Sequence, residues 1–212
     1  MLIAIPLFER LTALDAIGPY EVLQRLPDAE VRFVGERTGF VTTENGMLRL
    51  GVDATLDDTP RPDVVVVPGG VGNRVLLPES PLVDWVRAVH PTTRWTTSVC
   101  TGSLVLAAAG LLDGLTATTH WAAYKELEGL GATPTDQRVV EHPDQRIITA
   151  AGVSSGIDMA LGLAEHLTDR TTAQAMQLMV EYDPQPPFDA GALSKVDQAV
   201  LARAAEIAQT RS

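Results

Sequence analysis

Four consecutive valines, Val64 to Val67, follow Asp63 and run into Pro68, Gly69 and Gly70. A β-branched run with no polar alternation has no side to turn toward water. It predicts a strand covered on both faces, as in a parallel sheet held between two layers of helices. Leu2 to Phe8 and Arg94 to Val99 repeat that pattern, and Glu30 to Gly35 alternates as a further strand. Helical segments separate them. LTALDAIGPYEVLQRL follows the first strand, with Pro19 expected in its first turn and Tyr20, Val22, Leu23 and Leu26 on its apolar face. Leu82 to Val89 follows the valines, and Thr101 to Leu112 follows Val99 at once. Strand and helix in alternation, joined by glycine turns, predict an α/β fold of the doubly wound kind with a mostly parallel sheet.

Two segments depart from that rhythm. Phe40 to Ala54 reads as two weaker strands around Asn45 and Gly46, a hairpin signal, and Arg138 to His142 pairs with Arg146 to Ala150 around the turn HPDQ. Further helices are expected at Trp121 to Leu130, from a cap at Ser155 with Asp158 closing a capping box, and from Thr171 with Gln174 in the same spacing. The segment DPQPPF breaks the last of these before a helix from Ser194 to Gln209. With no repeat or linker, one domain over residues 1–212 is predicted, with 194–209 as its C-terminal helix.

Composition removes whole classes of partner. A chain of 212 residues that is 45% hydrophobic can bury roughly 70% of its unfolded surface without metal or disulfide. A net charge of −11 with no run of Lys and Arg argues against nucleic acid and anionic membranes. The longest apolar stretch, Leu104 to Leu112, is well short of the roughly 18 residues of a membrane span. MLIAIPLFER has no basic lead or cleavage site and reads as the first strand, while a single cysteine suits a reducing compartment, so the cytoplasm is expected.

Ligands in such sheets sit beyond the carboxyl ends of the strands. Three loops qualify: one with Asp15, one with Gly69 and Gly70, and one with Cys100. At a strand-to-helix junction the helix amides favour thiolate over thiol, so Cys100 reads as a nucleophile with a lowered pKa. In TSVCTGSL, Gly102 allows a tight turn like the nucleophile elbow of hydrolases, although Ser98 stands in place of the usual first glycine. The competing reading is a buried cysteine acting as a small hydrophobe. Asp15, between Leu14 and Ala16, either caps its helix or sits desolvated beside the thiolate, where its raised pKa would make it a general acid near neutral pH. Gly69 and Gly70 match neither a dinucleotide nor a P-loop pattern and read as an anion cradle, the N–H groups of Gly70 and Thr101 facing developing charge. His90, His120, His142 and His166 show no metal-ligand spacing, so no metal is expected. His120 reads as fixed by hydrogen bonds rather than as the base for Cys100. Tyr182 and Phe188 read as lining a pocket, capping a dimer or anchoring a loop.

Taken together, LTALDAIGPYEVL, VVVVPGG, TSVCTGSLVLAAAGLL, ATTHW and EYDPQPPF resemble the ThiJ/PfpI superfamily almost end to end. The resemblance implies a flavodoxin-like three-layer sandwich of the glutamine amidotransferase type. Aspartate in D-x-x-G-P together with C-T-G and T-T-H-W resembles the isocyanide hydratase branch. On that branch Cys100 would attack an isocyanide carbon and Asp15 would protonate it, and the thioimidate would hydrolyse to an N-substituted formamide without a cofactor. Thr101 would anchor the aspartate or a water, and the loop of Ala151, Gly152 and Val153 would lie by the nucleophile. A homodimer with the site near its interface is implied. Proteases of the superfamily place histidine after the cysteine, where this chain has Thr101, and many relatives carry glutamate as the acid. The alternatives are a glyoxalase-type enzyme of 2-oxoaldehydes, a thiol redox sensor, and a ligand-sensing domain like those fused to AraC-type regulators, which share the LDxxGPxE opening. The chain ends at Ser212 with no room for paired helix-turn-helix units, so DNA binding is not expected.

Overall fold

The valine run forms a strand in which all four side chains are fully buried, in a computed structural model that describes residues 1–209. The chain divides into two compact units, Met1–Val180 and a second that begins at Glu181. The first unit opens with β1 (Leu2–Pro6), α1 (Ala13–Leu23), β2 (Glu30–Gly35), β3 (Gly39–Thr42), β4 (Arg49–Val52), β5 (Ala54–Thr55) and β6 (Val64–Val67). It continues through α2 (Asn73–Leu76), α3 (Pro81–Val89), β7 (Trp95–Val99), α4 (Gly102–Ala108), β8 (Thr116–Ala117), α5 (Tyr124–Gly129) and β9 (Thr133–Pro134). It closes with β10 (Val139–His142), β11 (Ile147–Ala150), α6 (Ser155–Leu167) and α7 (Arg170–Met179).

Seven strands form the main sheet in the order β10-β11-β7-β6-β1-β2-β5. Every pairing is parallel except that of β10 with β11. From β1 the chain steps to β2 on one side, then returns to β6 on the other. Because such crossovers are right-handed, α1 covers one face while α3 and α4 cover the opposite one. α6 returns to pack on α1, which completes the flavodoxin-like α/β sandwich. The direction of winding reverses between β1 and β6, and a crevice opens there beyond the strand ends.

The hairpin forms as its signal predicts: β3 and β4 pair antiparallel, Asn45 Oδ1 accepts the Met47 N–H at 3.1 Å, and Gly46 takes φ 75°. Other local expectations yield to tertiary packing. Pro19 lies inside α1 rather than in its first turn, where it removes the amide that would have bonded the Asp15 carbonyl. Its ring packs on α6, so that a Cβ on Gly156 would lie 3.2 Å from Pro19 Cγ. Ser155 is the first residue of α6 and not its cap; its hydroxyl donates to the Ala151 carbonyl, and Asp158 pairs with Arg138. Asp169 caps α7 instead of Thr171, accepting the Thr172 N–H at 3.1 Å. The segment from Trp121 splits into a 3₁₀ turn and α5, and α4 ends at Ala108, short of Leu112.

α3 begins at Pro81, one residue before the Leu82 expected from sequence. Ser80 accepts the Val83 N–H at 3.3 Å and Pro81 occupies the first turn. Ser80→Ala is expected to cost about 1 kcal/mol, seen as a lower urea midpoint with an unchanged slope.

In the second unit a 3₁₀ turn, Leu193–Lys195, precedes α8 (Gln198–Gln209). The helix begins at 198 rather than 194 because Asp197 caps it, Oδ1 accepting the Val200 N–H at 3.0 Å. Among the described residues no helix is long and apolar enough to cross a membrane.

Candidate active site

β7 carries the fully buried hydroxyl residues Thr96, Thr97 and Ser98 to the turn that bears Cys100. There the backbone is left-handed, with φ 58° at Cys100, a conformation disfavoured for a residue with a Cβ by roughly 1–2 kcal/mol. Hydrogen bonds grip it on both sides. The Cys100 N–H donates to the carbonyls of Ala150 and Ala151, each at 3.0 Å. Its carbonyl accepts the hydroxyls of Thr119 at 3.0 Å and Ser103 at 3.2 Å. Gly102 closes the turn against β6: a Cβ there would lie 2.1 Å from the Val67 carbonyl oxygen. Strand, strained cysteine and helix follow one another as in a nucleophile elbow.

Asp15 reaches the elbow from α1. It is fully buried, Oδ2 accepts the Gly69 N–H at 3.0 Å, and Oδ1 has no protein partner. Gly69 permits the approach, since a Cβ on it would lie 2.5 Å from the Thr101 nitrogen and 2.9 Å from Asp15 Oδ2. Gly70, at φ 138°, lies against the segment before α1, where a Cβ would come within 2.6 Å of Leu11 Cα. Its N–H donates to Thr101 Oγ1 at 2.9 Å. The buried Asn73 amide donates to the Thr101 carbonyl at 2.8 Å and to its hydroxyl at 3.3 Å.

The Cys100 thiol lies beside the Asp15 carboxyl, and the N–H groups of Thr101 and Val153 face the sulfur. Burial pushes the Cys100 thiol well above its ordinary pKa, the Asp15 charge adds to this, and the two amides oppose it. Burial also raises Asp15, to about 7, against the pull of the Gly69 N–H and the thiol. This corrects the expectation of a resting thiolate. Cys100 is 4% exposed, and α4 is too short for its dipole to offset desolvation and a neighbouring carboxylate. Cys100 therefore rests as a thiol beside a carboxyl whose pKa is about 7.

Two further expectations are corrected. The Gly69 and Gly70 N–H groups are engaged by Asp15 and Thr101, so they do not form a free anion cradle; the amides of Thr101 and Val153 face the sulfur instead. The Thr101 hydroxyl is held by Gly70 and Asn73 rather than by Asp15. Asp15 does not cap α1, for its carboxylate is turned to Gly69. Val153 takes φ 44°, rare for a β-branched residue and a mark of constraint at a site. His120 is hydrogen-bonded as expected: Nδ1 accepts the Ala122 N–H at 3.3 Å. Its ring lies on Gly152, where a Cβ would sit 2.6 Å from Cδ2, and burial, with Arg74 nearby, holds it below its usual pKa.

Asn73 and Thr119 are the contributors that sequence reasoning misses. Asn73 stands in a loop-like stretch between Gly72 and Arg74, and only TTHW hints at Thr119. A cavity of about 510 Å³ is lined by Leu7, Phe8, Arg10, Arg37, Gly72 and Leu76 among others, without Cys100. Tyr182 and Phe188 belong to the second unit. Among the described residues no group of three or more His, Cys, Asp or Glu side chains could hold a metal ion.

Residues 1–166 match the DJ-1/PfpI family. The chain is 46% identical over 195 residues to an isonitrile hydratase of Pseudomonas putida, covering 92% of this chain and 84% of that protein. It is 32% identical over 163 residues to the HTH-type transcriptional regulator CdhR of Pseudomonas aeruginosa, covering 75% of this chain and 47% of the regulator. Among solved structures, a THiJ/PfpI family protein from Pseudomonas syringae superposes with a TM-score of 0.91 at 34% identity, over 99% of this chain and 86% of that one.

Proposed function

Because this chain belongs to the DJ-1/PfpI family and pairs Cys100 with Asp15 at its elbow, we propose that it hydrates isocyanides to N-substituted formamides without a cofactor. The observation that carries the reading is a buried carboxyl, Asp15, set beside a buried thiol, Cys100, at the elbow, supported by the likeness to isonitrile hydratase.

An isocyanide carbon bears a lone pair and is also electrophilic, so a thiol adds across that one atom. The sulfur bonds to carbon as its proton passes to Asp15, and Asp15 delivers the proton to the same carbon. One S–H bond breaks, one S–C and one C–H bond form, and the product is the thioimidate. A freely ionised thiol is not required, which suits a sulfur held protonated at rest. Water then adds to the thioimidate carbon, with Asp15 accepting a proton from it and passing one to nitrogen. Collapse breaks the C–S bond, returns the last proton to sulfur and releases the formamide. An acid of pKa about 7 serves in both directions near neutral pH. The Thr101 and Val153 amides stabilise negative charge on sulfur during attack and departure. In this reading the protein acts in the cytoplasm as a homodimer, a state that sedimentation of the purified chain tests.

The function is tested by incubating the protein with an aryl isocyanide and following the formamide by NMR. Formamide should form in proportion to native protein and not with protein alkylated at Cys100. Turnover of methylglyoxal with no turnover of isocyanide would overturn the reading in favour of a 2-oxoaldehyde enzyme.

A further inference from the structure

The turn between β3 and β4 leans on the start of α1. The Glu44 N–H donates to the Leu11 carbonyl at 3.1 Å, and Glu44 Oε2 accepts the Thr12 hydroxyl at 2.9 Å. The Thr12 carbonyl accepts the Asp15 N–H at 3.1 Å. The Glu44 carboxylate is therefore tied to the same turn of chain that carries the buried acid. Its partner there is a neutral hydroxyl.

The field of that carboxylate reaches two groups by the nucleophile. It raises Asp15, and it counters the lowering of His120. A cation, Arg74, acts on His120 in the opposite sense and outweighs Glu44 there, although its guanidinium also pairs with Glu126, with Nε at 3.2 Å from one carboxylate oxygen and Nη2 at 3.4 Å from the other. His120 is held toward its neutral form. At the Cys100 and Asp15 pair itself the charges that act are carboxylates, Asp15 on the thiol and Glu44 on Asp15, in a chain whose net charge is −11.

We propose that Glu44, lent by the hairpin and pinned by Thr12, is a specificity-determining residue that admits neutral and cationic reagents to Cys100 and turns anionic ones away. The isocyanides it serves would then carry no carboxylate or phosphate close to the reacting carbon. This substrate class rests on the hydratase reading, whereas the charge selection itself needs only Cys100 as the reacting atom.

The test compares alkylation of Cys100 by neutral iodoacetamide and anionic iodoacetate in the native chain and in Glu44→Gln, which keeps an oxygen for Thr12. Any change in thiol ionisation alters both rates equally and cancels in their ratio. The iodoacetate rate in Glu44→Gln should rise about two- to five-fold relative to the iodoacetamide rate at low salt. In the native chain 1 M NaCl should produce the same change, because the Debye length falls to about 3 Å. Equal changes with both reagents, or a native ratio insensitive to salt, would overturn the proposal. If the ratios behave as expected but no isocyanide is hydrated, the hydratase reading fails and the charge selection stands.

Discussion

Asp15→Asn is expected to abolish turnover while making Cys100 easier to alkylate. The asparagine amide cannot take the thiol proton or deliver one to carbon, so kcat/KM should fall about 10²- to 10⁴-fold, the usual contribution of a placed general acid. At the same time the thiol loses the carboxylate charge that helps to hold its pKa up. More of it is ionised at pH 8, and iodoacetamide should react faster than with the native chain. A merely structural aspartate would not produce those opposite changes. Stability gives a third readout. The folded state holds the Asp15 proton to about 7 against an ordinary value of 3.8, so it binds protons more strongly than the unfolded chain between those limits. The stability supplied by that proton is therefore full below pH 4 and is lost as pH climbs through 7. Asparagine does not titrate, and above pH 7 the variant should be the more stable protein, by about 4 kcal/mol at most. For the native enzyme the same ionisation predicts that kcat/KM rises as pH climbs through about 7 and then levels, because the carboxylate that takes the thiol proton is formed there. Turnover within tenfold of native, or slower alkylation, would contradict the assigned role.

The parts of this site that are legible in the sequence depend on backbone shape. Val64 to Val67 has no polar side to expose, and Gly102 beside Cys100 marks a sharp turn, so the strand ends and the elbow follow from local pattern. Asp15 is legible by its apolar neighbours. Protonation is not legible, because it depends on how much water reaches the sulfur and on the distance to a carboxylate 85 positions away in the chain. Nor can sequence show that the Gly69 and Gly70 amides are already engaged, since that requires Asp15 and Thr101 to be brought to them by different elements. Pro19 and Ser155 mislead for a related reason. Each has a strong helix-start signature, but packing of α1 on α6 and the Ala151 carbonyl decide where the helices begin.

Gly102→Ala should damage the fold as well as the chemistry. A Cβ at this position would sit 2.1 Å from the Val67 oxygen, 2.9 Å from the Val67 carbonyl carbon and 3.0 Å from the Pro68 oxygen. All three are backbone atoms at the end of a buried central strand, so no side chain can swing aside to make room. Relief requires α4 to move away from β6, at a cost of about 3 kcal/mol or more for overpacking and lost backbone contacts. For a chain of this size that corresponds to a fall in Tm of about 6–12 °C. Gly129→Ala, at the end of α5, is the control: nothing lies within 4 Å of its added Cβ, and its Tm should stay level or rise slightly. The contact that fixes α4 against the sheet also sets the Thr101 N–H under the sulfur. Any Gly102→Ala protein that does fold should lose turnover, because that amide will have shifted with the helix. A variant with native Tm and native turnover would show that the elbow tolerates a methyl group against the Val67 carbonyl, and that Gly102 does not set its geometry.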